Sequence, residues 1–252
     1  MSTIMPPRDG HNVESTTSES WDIGRETLNR ISQMRRFNAW MISLVRPHVH
    51  GNTLEFGAGI GSMTALLAES ADAYSAVDIS ADYVSELQVR FGHIPQFRAV
   101  QCDIQSPEVR QLGLNAFDCI VCLNVLEHIA DDGAVIANSE ALLRSGGRLV
   151  LLVPALAWLY GSLDRHLDHY RRYDRGPLCE LLRKHELRPV ACRWFNLFGL
   201  LGWYLNARVH HGEILPSAQL GLYDHLVPAF RTIERLTGPP IGQSLLVVAE
   251  KP

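Results

Sequence analysis

The sequence predicts an α/β domain built on a mostly parallel sheet with helices on both faces. Two observations predict it. Short apolar runs alternate with helical segments from Thr53 to Val153, at a spacing that suits strand–helix–strand units. The first of those runs passes directly into a glycine-rich turn and then a helix, the usual place for a ligand at the carboxyl end of a parallel strand. The length of 252 residues, with 46% hydrophobic and 20% charged, suits one such domain with additions.

The elements follow in order. Residues 1–24 are polar, rich in Ser, Thr and Glu, and read as a disordered tail. From Glu26 to Val45, Leu28, Ile31, Met34, Phe37, Met41 and Leu44 recur at spacings of three and four, which predicts one amphipathic helix ended by Pro47. Strands are predicted at Thr53–Phe56, Tyr74–Ile79, Phe97–Cys102, Phe117–Leu123 and Arg148–Val153. Helices are predicted at Met63–Glu69, Ala81–Phe91 and Asp132–Arg144, the last closed by Ser145-Gly146-Gly147. The pattern then loosens. A charged stretch runs from Ala155 to Gly176, a helix from Pro177 to Glu186 and a strand from Pro189 to Phe195. A long segment, Leu197–Gly242, precedes a last strand at Ser244–Ala249. Residues 25–252 read as a single domain: 25–50 form a cap helix, and 155–176 and 197–242 are insertions that cover the substrate.

Composition excludes several classes. The net charge of −4 and the absence of a basic block beyond Arg171-Arg172 argue against nucleic acid as a partner. No apolar run reaches the roughly 18 residues needed to span a bilayer, and residues 1–20 lack the apolar core of a signal peptide. Cys119 and Cys122 sit three apart in one predicted strand, so their side chains point to opposite faces and cannot clamp one metal. Five cysteines with no disulfide pattern fit a cytoplasmic protein.

The chemistry concentrates at the glycine turn. In Glu55-Phe56-Gly57-Ala58-Gly59-Ile60-Gly61-Ser62 the glycines let the backbone turn sharply and approach a ligand closely. A dinucleotide fingerprint wants glycine where this chain has Ser62, which disfavours a nicotinamide-dependent oxidoreductase. Asp78 ends the second strand, where a carboxylate accepts from a ribose diol, and Asp103 follows the third, in reach of an adenine edge. Glu55 repels a pyrophosphate and tolerates a cation. A nucleoside carrying a positive charge is implied, and S-adenosylmethionine fits that description.

With these residues the sequence resembles the class I S-adenosylmethionine-dependent methyltransferases. The resemblance covers Asn52 to about Pro154 through LEFGAGIG, VDIS, QCDI, FDCIVCLNVLEHI and LLRSGGRLVLLVPA. It implies a Rossmann-like, seven-stranded, mostly parallel sheet and S-adenosyl-L-methionine as cofactor. It also implies Glu55, Gly57, Ala58, Gly59 and Gly61 along the methionine and ribose, Asp78 with Ile79 on the ribose hydroxyls, and Asp103 with Ile104 at the adenine. Asn124, with Val125, falls at the reacting end. The stretch WLYG, then Asp164 and HYRRY, and an ending like GQSLLVVAEK are similar to a bacterial branch of the superfamily. In the superfamily an N-terminal helix commonly closes over the cofactor, which makes Arg36, or Asn38, a candidate for its carboxylate.

Glu127 and His128, just after the fourth strand, are the candidates for acid–base work if the acceptor arrives protonated. Tyr160 and Tyr170 follow the fifth strand and are candidates to face the sulfonium, since an aromatic face attracts a cation. Asp164, His166, Asp168 and His169 read as a polar loop ion-paired with Arg171 and Arg172, and no metal is expected. The Leu197–Val209 run suits a lid over an apolar substrate, a homodimer surface or a lipid-facing patch, with the lid preferred. The leading functional reading is methyl transfer to a small metabolite or natural-product intermediate. The alternatives are cyclisation of S-adenosylmethionine itself to azetidine-2-carboxylate with loss of methylthioadenosine, and a non-catalytic cofactor-binding protein.

Overall fold

The computed structural model describes residues 25, 26, 28–204 and 217–252. The predicted tail at 1–24, the end of the Leu197–Val209 run and the His210-His211 pair lie outside them.

Seven strands form one sheet: β1 (Asn52–Phe56), β2 (Ala73–Asp78), β3 (Phe97–Gln101), β4 (Phe117–Leu123), β5 (Leu143–Pro154), β6 (Arg188–Phe195) and β7 (Ser244–Glu250), in the order β3-β2-β1-β4-β5-β7-β6. The first five pair in parallel, and β7 runs antiparallel between β5 and β6. The order reverses between β1 and β4, the position where open α/β sheets bind ligands. The register brings Phe56 beside both Val77 and Cys122, and Pro154 beside Ser244, which lies beside Phe195. The carboxyl ends of β1, β2, β4, β5 and β6 therefore share one edge with the start of β7.

The central strands are buried on both faces, with one apolar core on each side. Cys122 packs with Leu54, Ile120 and Leu151 in one core, and Cys119 with Val121, Val150 and Val248 in the other. This is the opposite-face placement expected from their spacing, and both cysteines are free. Each buried Leu or Val contributes roughly 1.5–3 kcal/mol relative to leaving it in water.

The helices are α1 (Arg35–Val45), α2 (Thr64–Leu67), α3 (Ala81–Phe91), α4 (Asp132–Leu142), α5 (Ser162–His166), α6 (Arg175–Lys184), α7 (Leu197–Tyr204) and α8 (Ser217–Thr237). Three departures from expectation have physical reasons. The N-terminal helix is two pieces, with helical residues at 28–32 and then α1, and the side-chain amide of Asn38 donates to the carbonyl of Ile31 at 2.9 Å across the break at Gln33–Met34. Strand β5 begins at Leu143, because the chain pairs with Phe117 there and the register then shifts before Arg148 meets Cys119. The long C-terminal segment holds α8, whose Leu220, Tyr223, Val227, Phe230 and Glu234 recur at helical spacing; Pro228 lies within it and masks the pattern.

Helices α1 and α8 meet at the open edge of the sheet. Asp224 accepts from the backbone N–H groups of Arg36 and Phe37 at 3.3 and 2.8 Å, satisfying donors at the start of α1. Phe37, Trp40, Phe195 and Tyr223 pack edge-on or tilted beneath that contact. Glu234 of α8 accepts from Asn196 N and Leu197 N, and so holds the start of α7. No helix among the described residues is long and apolar enough to cross a membrane.

Candidate functional site

A cavity of about 720 Å³ opens at the carboxyl edge of the sheet, within the range of roughly 300–1,000 Å³ usual for small-molecule sites. Its walls are mostly apolar. Met34, Phe37 and Met41 come from the N-terminal side, Trp203 from α7, and Leu220 and Tyr223 from α8.

The glycine loop forms one half. Gly57 N and Ala58 N both donate to Val77 O, which ties the loop to β2. Gly57 has φ +67°, and a Cβ there would fall 2.5 Å from Val125. Gly61 has φ +76°, and a Cβ would strike Phe91 and Leu87. Gly61 thus seats the loop on α3 and does not itself line the cavity. Asp78 binds the loop from below, accepting from Gly59 N at 2.8 Å and Ser80 N at 2.9 Å. Burial raises its pKa against those two bonds. A carboxylate has about four acceptor sites, so both oxygens keep capacity for a diol.

Glu55 lies under the loop, 4% exposed. Its Oε2 accepts from Thr64 Oγ1 at 2.6 Å and Tyr74 OH at 3.0 Å. Burial pushes its carboxyl up to about 7 against those bonds, so a cation in the cavity would favour the ionised form. Asp103 lines the next stretch with one oxygen engaged by Gln105 N at 2.9 Å; Ile79, Ile104 and Val125 complete this half. Asn124 stands at the end of β4 with φ +53°, its N–H on Leu152 O.

The other half is a polar cluster in an apolar wall. Glu127, His128, His169 and Arg172 all line it. Glu127 is 1% exposed, and its Oε2 has no hydrogen-bond partner. Burial raises its carboxyl to about 8, although Arg172 nearby works the other way. His128 opens onto the cavity, and burial by the surrounding protein, with His169 close by, lowers its pKa to about 3; it is neutral at physiological pH. The two imidazoles meet edge to face, centroids 4.6 Å apart. Asp164 Oδ1 is bonded by His169 Nδ1 at 2.9 Å and accepts from Arg172 Nε at 2.7 Å. Burial acts to raise the Asp164 pKa, but His169 and Arg172 together hold it below the ordinary value. Arg172 also donates to Ala155 O at 3.0 Å and stacks over the Trp203 ring at 4.5 Å.

Twelve of the sequence-predicted site residues line this one cavity: Glu55, Gly57, Ala58, Gly59, Asp78, Ile79, Asp103, Ile104, Asn124, Val125, Glu127 and His128. Besides Gly61, three are placed elsewhere. The Arg36 guanidinium points away to α8 and donates to His225 O at 3.2 Å, because the start of α1 is pinned by Asp224. The Tyr160 hydroxyl donates to His169 O at 2.8 Å, which makes this ring a brace behind the histidine. Tyr170 is 61% exposed, with its backbone N–H on Glu127 O at 2.8 Å. The polar loop pairs partly as expected, since Asp164 holds Arg172 while Arg171 turns to Asp132 at 2.9 Å. Sequence reasoning missed Arg172 and Trp203 as cavity residues; neither carries a local signal, because only the return of the 155–176 and 197–204 segments over the sheet edge brings them in.

Comparisons with known proteins agree with this architecture. Residues 54–149 match a family model described as a methyltransferase domain. Among curated proteins, tenellin synthetase of Beauveria bassiana is 33% identical over 105 residues, which is 39% of this chain and 2% of that protein. An uncharacterized methyltransferase of Mycobacterium tuberculosis is 32% identical over 99 residues, 39% of this chain and 48% of the relative. The chain thus spans less than half the length of these relatives. Among solved structures, Burkholderia thailandensis 1,6-didemethyltoxoflavin-N1-methyltransferase, with 1,6-didemethyltoxoflavin and S-adenosylhomocysteine bound, superposes with a TM-score of 0.57 at 22% identity, covering 94% of this chain and 86% of that one. Geranyl diphosphate methyltransferase in complex with its cofactor superposes at 0.59 and 13% identity, covering 83% and 84%. Residues 54–149 are thus similar to a methyltransferase domain, and the seven-stranded sheet shares the fold of solved S-adenosylmethionine-dependent methyltransferases.

Proposed function

We propose that this chain transfers the methyl group of S-adenosylmethionine to a small, largely apolar acceptor. The observation that carries the reading is that one apolar cavity holds both the glycine loop with Asp78 and Asp103, and the Glu127–His128 cluster. The cofactor's ribose suits Asp78, its adenine the Asp103–Ile104 turn, and its methionine end the loop above Glu55. That leaves the sulfonium directed toward Asn124 and the far half. The solved structures of superfamily members bound to S-adenosylmethionine or S-adenosylhomocysteine support this choice of cofactor.

The sulfonium brings its own activated leaving group, so the protein's main task is to align the acceptor for in-line attack. An acceptor that arrives protonated must lose its proton as the bond forms. Glu127 in its ionised form, populated as pH rises through about 8, is a stronger base than His128 near 3, and its unpartnered Oε2 supports giving it that proton. The apolar side of the cavity, from Phe37 to Trp203 and Tyr223, selects acceptors with a hydrophobic body and one polar reacting atom.

The test is to incubate the protein with S-adenosylmethionine, alone and with panels of small hydroxylated or heteroaromatic metabolites, and to follow nucleosides by mass spectrometry. Acceptor-dependent S-adenosylhomocysteine is the expected product. Methylthioadenosine formed without an acceptor would overturn methyl transfer in favour of attack within the cofactor. Tight cofactor binding with no turnover across the panels would favour a protein that binds without catalysing.

A further inference from the structure

Three side chains in the far half of the cavity face one another with more ligating capacity than the protein uses. One donor atom each from Glu127, His128 and His169 lies within 4.8 Å of the others. Glu127 Oε2 is buried and unpartnered. His169 is 9% exposed, and its Nδ1 is committed to Asp164 Oδ1 at 2.9 Å, so Nε2 is the nitrogen left over. His128 lines the cavity and brings a ring nitrogen to the group.

We infer that Glu127, His128 and His169 form a binding site for one divalent transition-metal ion, with two imidazole nitrogens and one carboxylate oxygen as ligands and an open position toward the acceptor. Donor chemistry selects the ion. Two imidazoles with a carboxylate suit zinc, cobalt or ferrous iron, whereas magnesium and calcium prefer sets made of oxygen alone. The surroundings have the form of an outer shell. Asp164 orients His169 as a carboxylate orients a metal-binding histidine, and Arg172 fixes Asp164 in turn. Donors about 2.0–2.2 Å from a tetrahedral ion lie roughly 3.4 Å apart, so the three donor atoms, within 4.8 Å of one another, draw closer when an ion binds. The inference rests on the transferase reading only for the ion's purpose. An oxygen bound to such an ion loses its proton to water near neutral pH, and Glu127 then serves as a ligand instead of a base.

The test uses the full chain stripped of metal by a chelator. Zinc binding is measured by calorimetry, and cobalt substitution by its visible absorption bands. One equivalent of zinc and cobalt bands of a low-coordinate site are expected. Glu127→Gln, His128→Ala and His169→Ala should each weaken zinc binding at least tenfold. S-adenosylhomocysteine affinity, measured on each variant, should stay within about twofold of the parent and so shows that the fold survives. His128→Ala, on the cavity surface, carries the test if either buried variant fails to fold. Equal zinc affinity in parent and variants would place any ion elsewhere and overturn the proposal. S-adenosylhomocysteine binding with no zinc binding would also overturn it while leaving the transferase reading intact. Zinc binding lost in the variants, with no methyl transfer to any acceptor, would sustain the site and sink the transferase reading instead.

Discussion

The two halves of the cavity are built in opposite ways. In the glycine-loop half, the polar groups already have protein partners: Gly57 and Ala58 hold Val77, Asp78 holds Gly59 and Ser80, and Glu55 holds Thr64 and Tyr74. In the far half, Glu127 Oε2, Arg172 Nη2 and Trp203 Nε1 are buried without a hydrogen-bond partner. A satisfied half is a rigid cradle whose shape does not wait for the ligand. The other half keeps polar capacity in reserve, at a cost in stability that persists only where chemistry uses it. On the proposed reading, one side positions the cofactor and the other meets the acceptor.

That contrast can be broken or sharpened by mutation. The largest effect is expected for Arg172→Met. It removes the guanidinium from a fully buried pair with Asp164 and should cost about 3–5 kcal/mol in denaturant unfolding. A loss under about 1 kcal/mol would mean that the far half is not organised around this pair. Next is Asp78→Ala, which removes the brace of the glycine loop as well as the proposed diol acceptor. Calorimetry should show cofactor affinity reduced by about 1–3 kcal/mol, and unchanged affinity would separate Asp78 from the cradle.

A pH series sharpens the comparison further. Glu55 has its pKa raised from 4.5 to about 7 in the folded chain. Below 4.5 it is protonated in both states; between the two values the fold keeps a proton that the unfolded chain has released. The stability it contributes is present at low pH and is lost as pH rises through about 7. Unfolding at pH ~5 and ~8 should therefore show the parent losing stability relative to Glu55→Gln. A difference independent of pH would remove burial of this carboxyl as the cause. The smallest effect is expected for Tyr160→Phe. It loses one hydrogen bond to His169 O, about 0.5–1.5 kcal/mol of stability, with turnover altered less than by changes at Glu127. A large loss of turnover at unchanged stability would return Tyr160 to the reacting centre.

The cradle was legible because it is local. Glu55 to Gly61 is one continuous turn, and Asp78 and Asp103 each mark the end of a strand whose apolar run shows in the sequence. Wherever several strands run in parallel, their carboxyl ends meet at one edge, so locating the strands locates the site. The boundary error at Leu143 came from strand pairing with the distant Phe117, and the break at Gln33–Met34 from a side-chain contact of Asn38 that periodicity does not register. The far half was less legible for the same reason. Glu127 and His128 stood out beside β4, but His169 reaches them only when the 155–176 segment folds back across the edge.

Arg36, Tyr160 and Tyr170 show the limit from the other side. Residue type and position near the site recommended all three, but their directions were decided by partners far along the chain: Asp224 and His225 for Arg36, and the backbone of the returning loop for the tyrosines. The sequence by itself determined the sheet, its opposite-face cores and the glycine-rich turn, because periodicity and glycine conformation act within a few residues. Only the tertiary structure decided which titratable groups share a buried space, because that depends on how two insertions cross an edge they do not border in sequence.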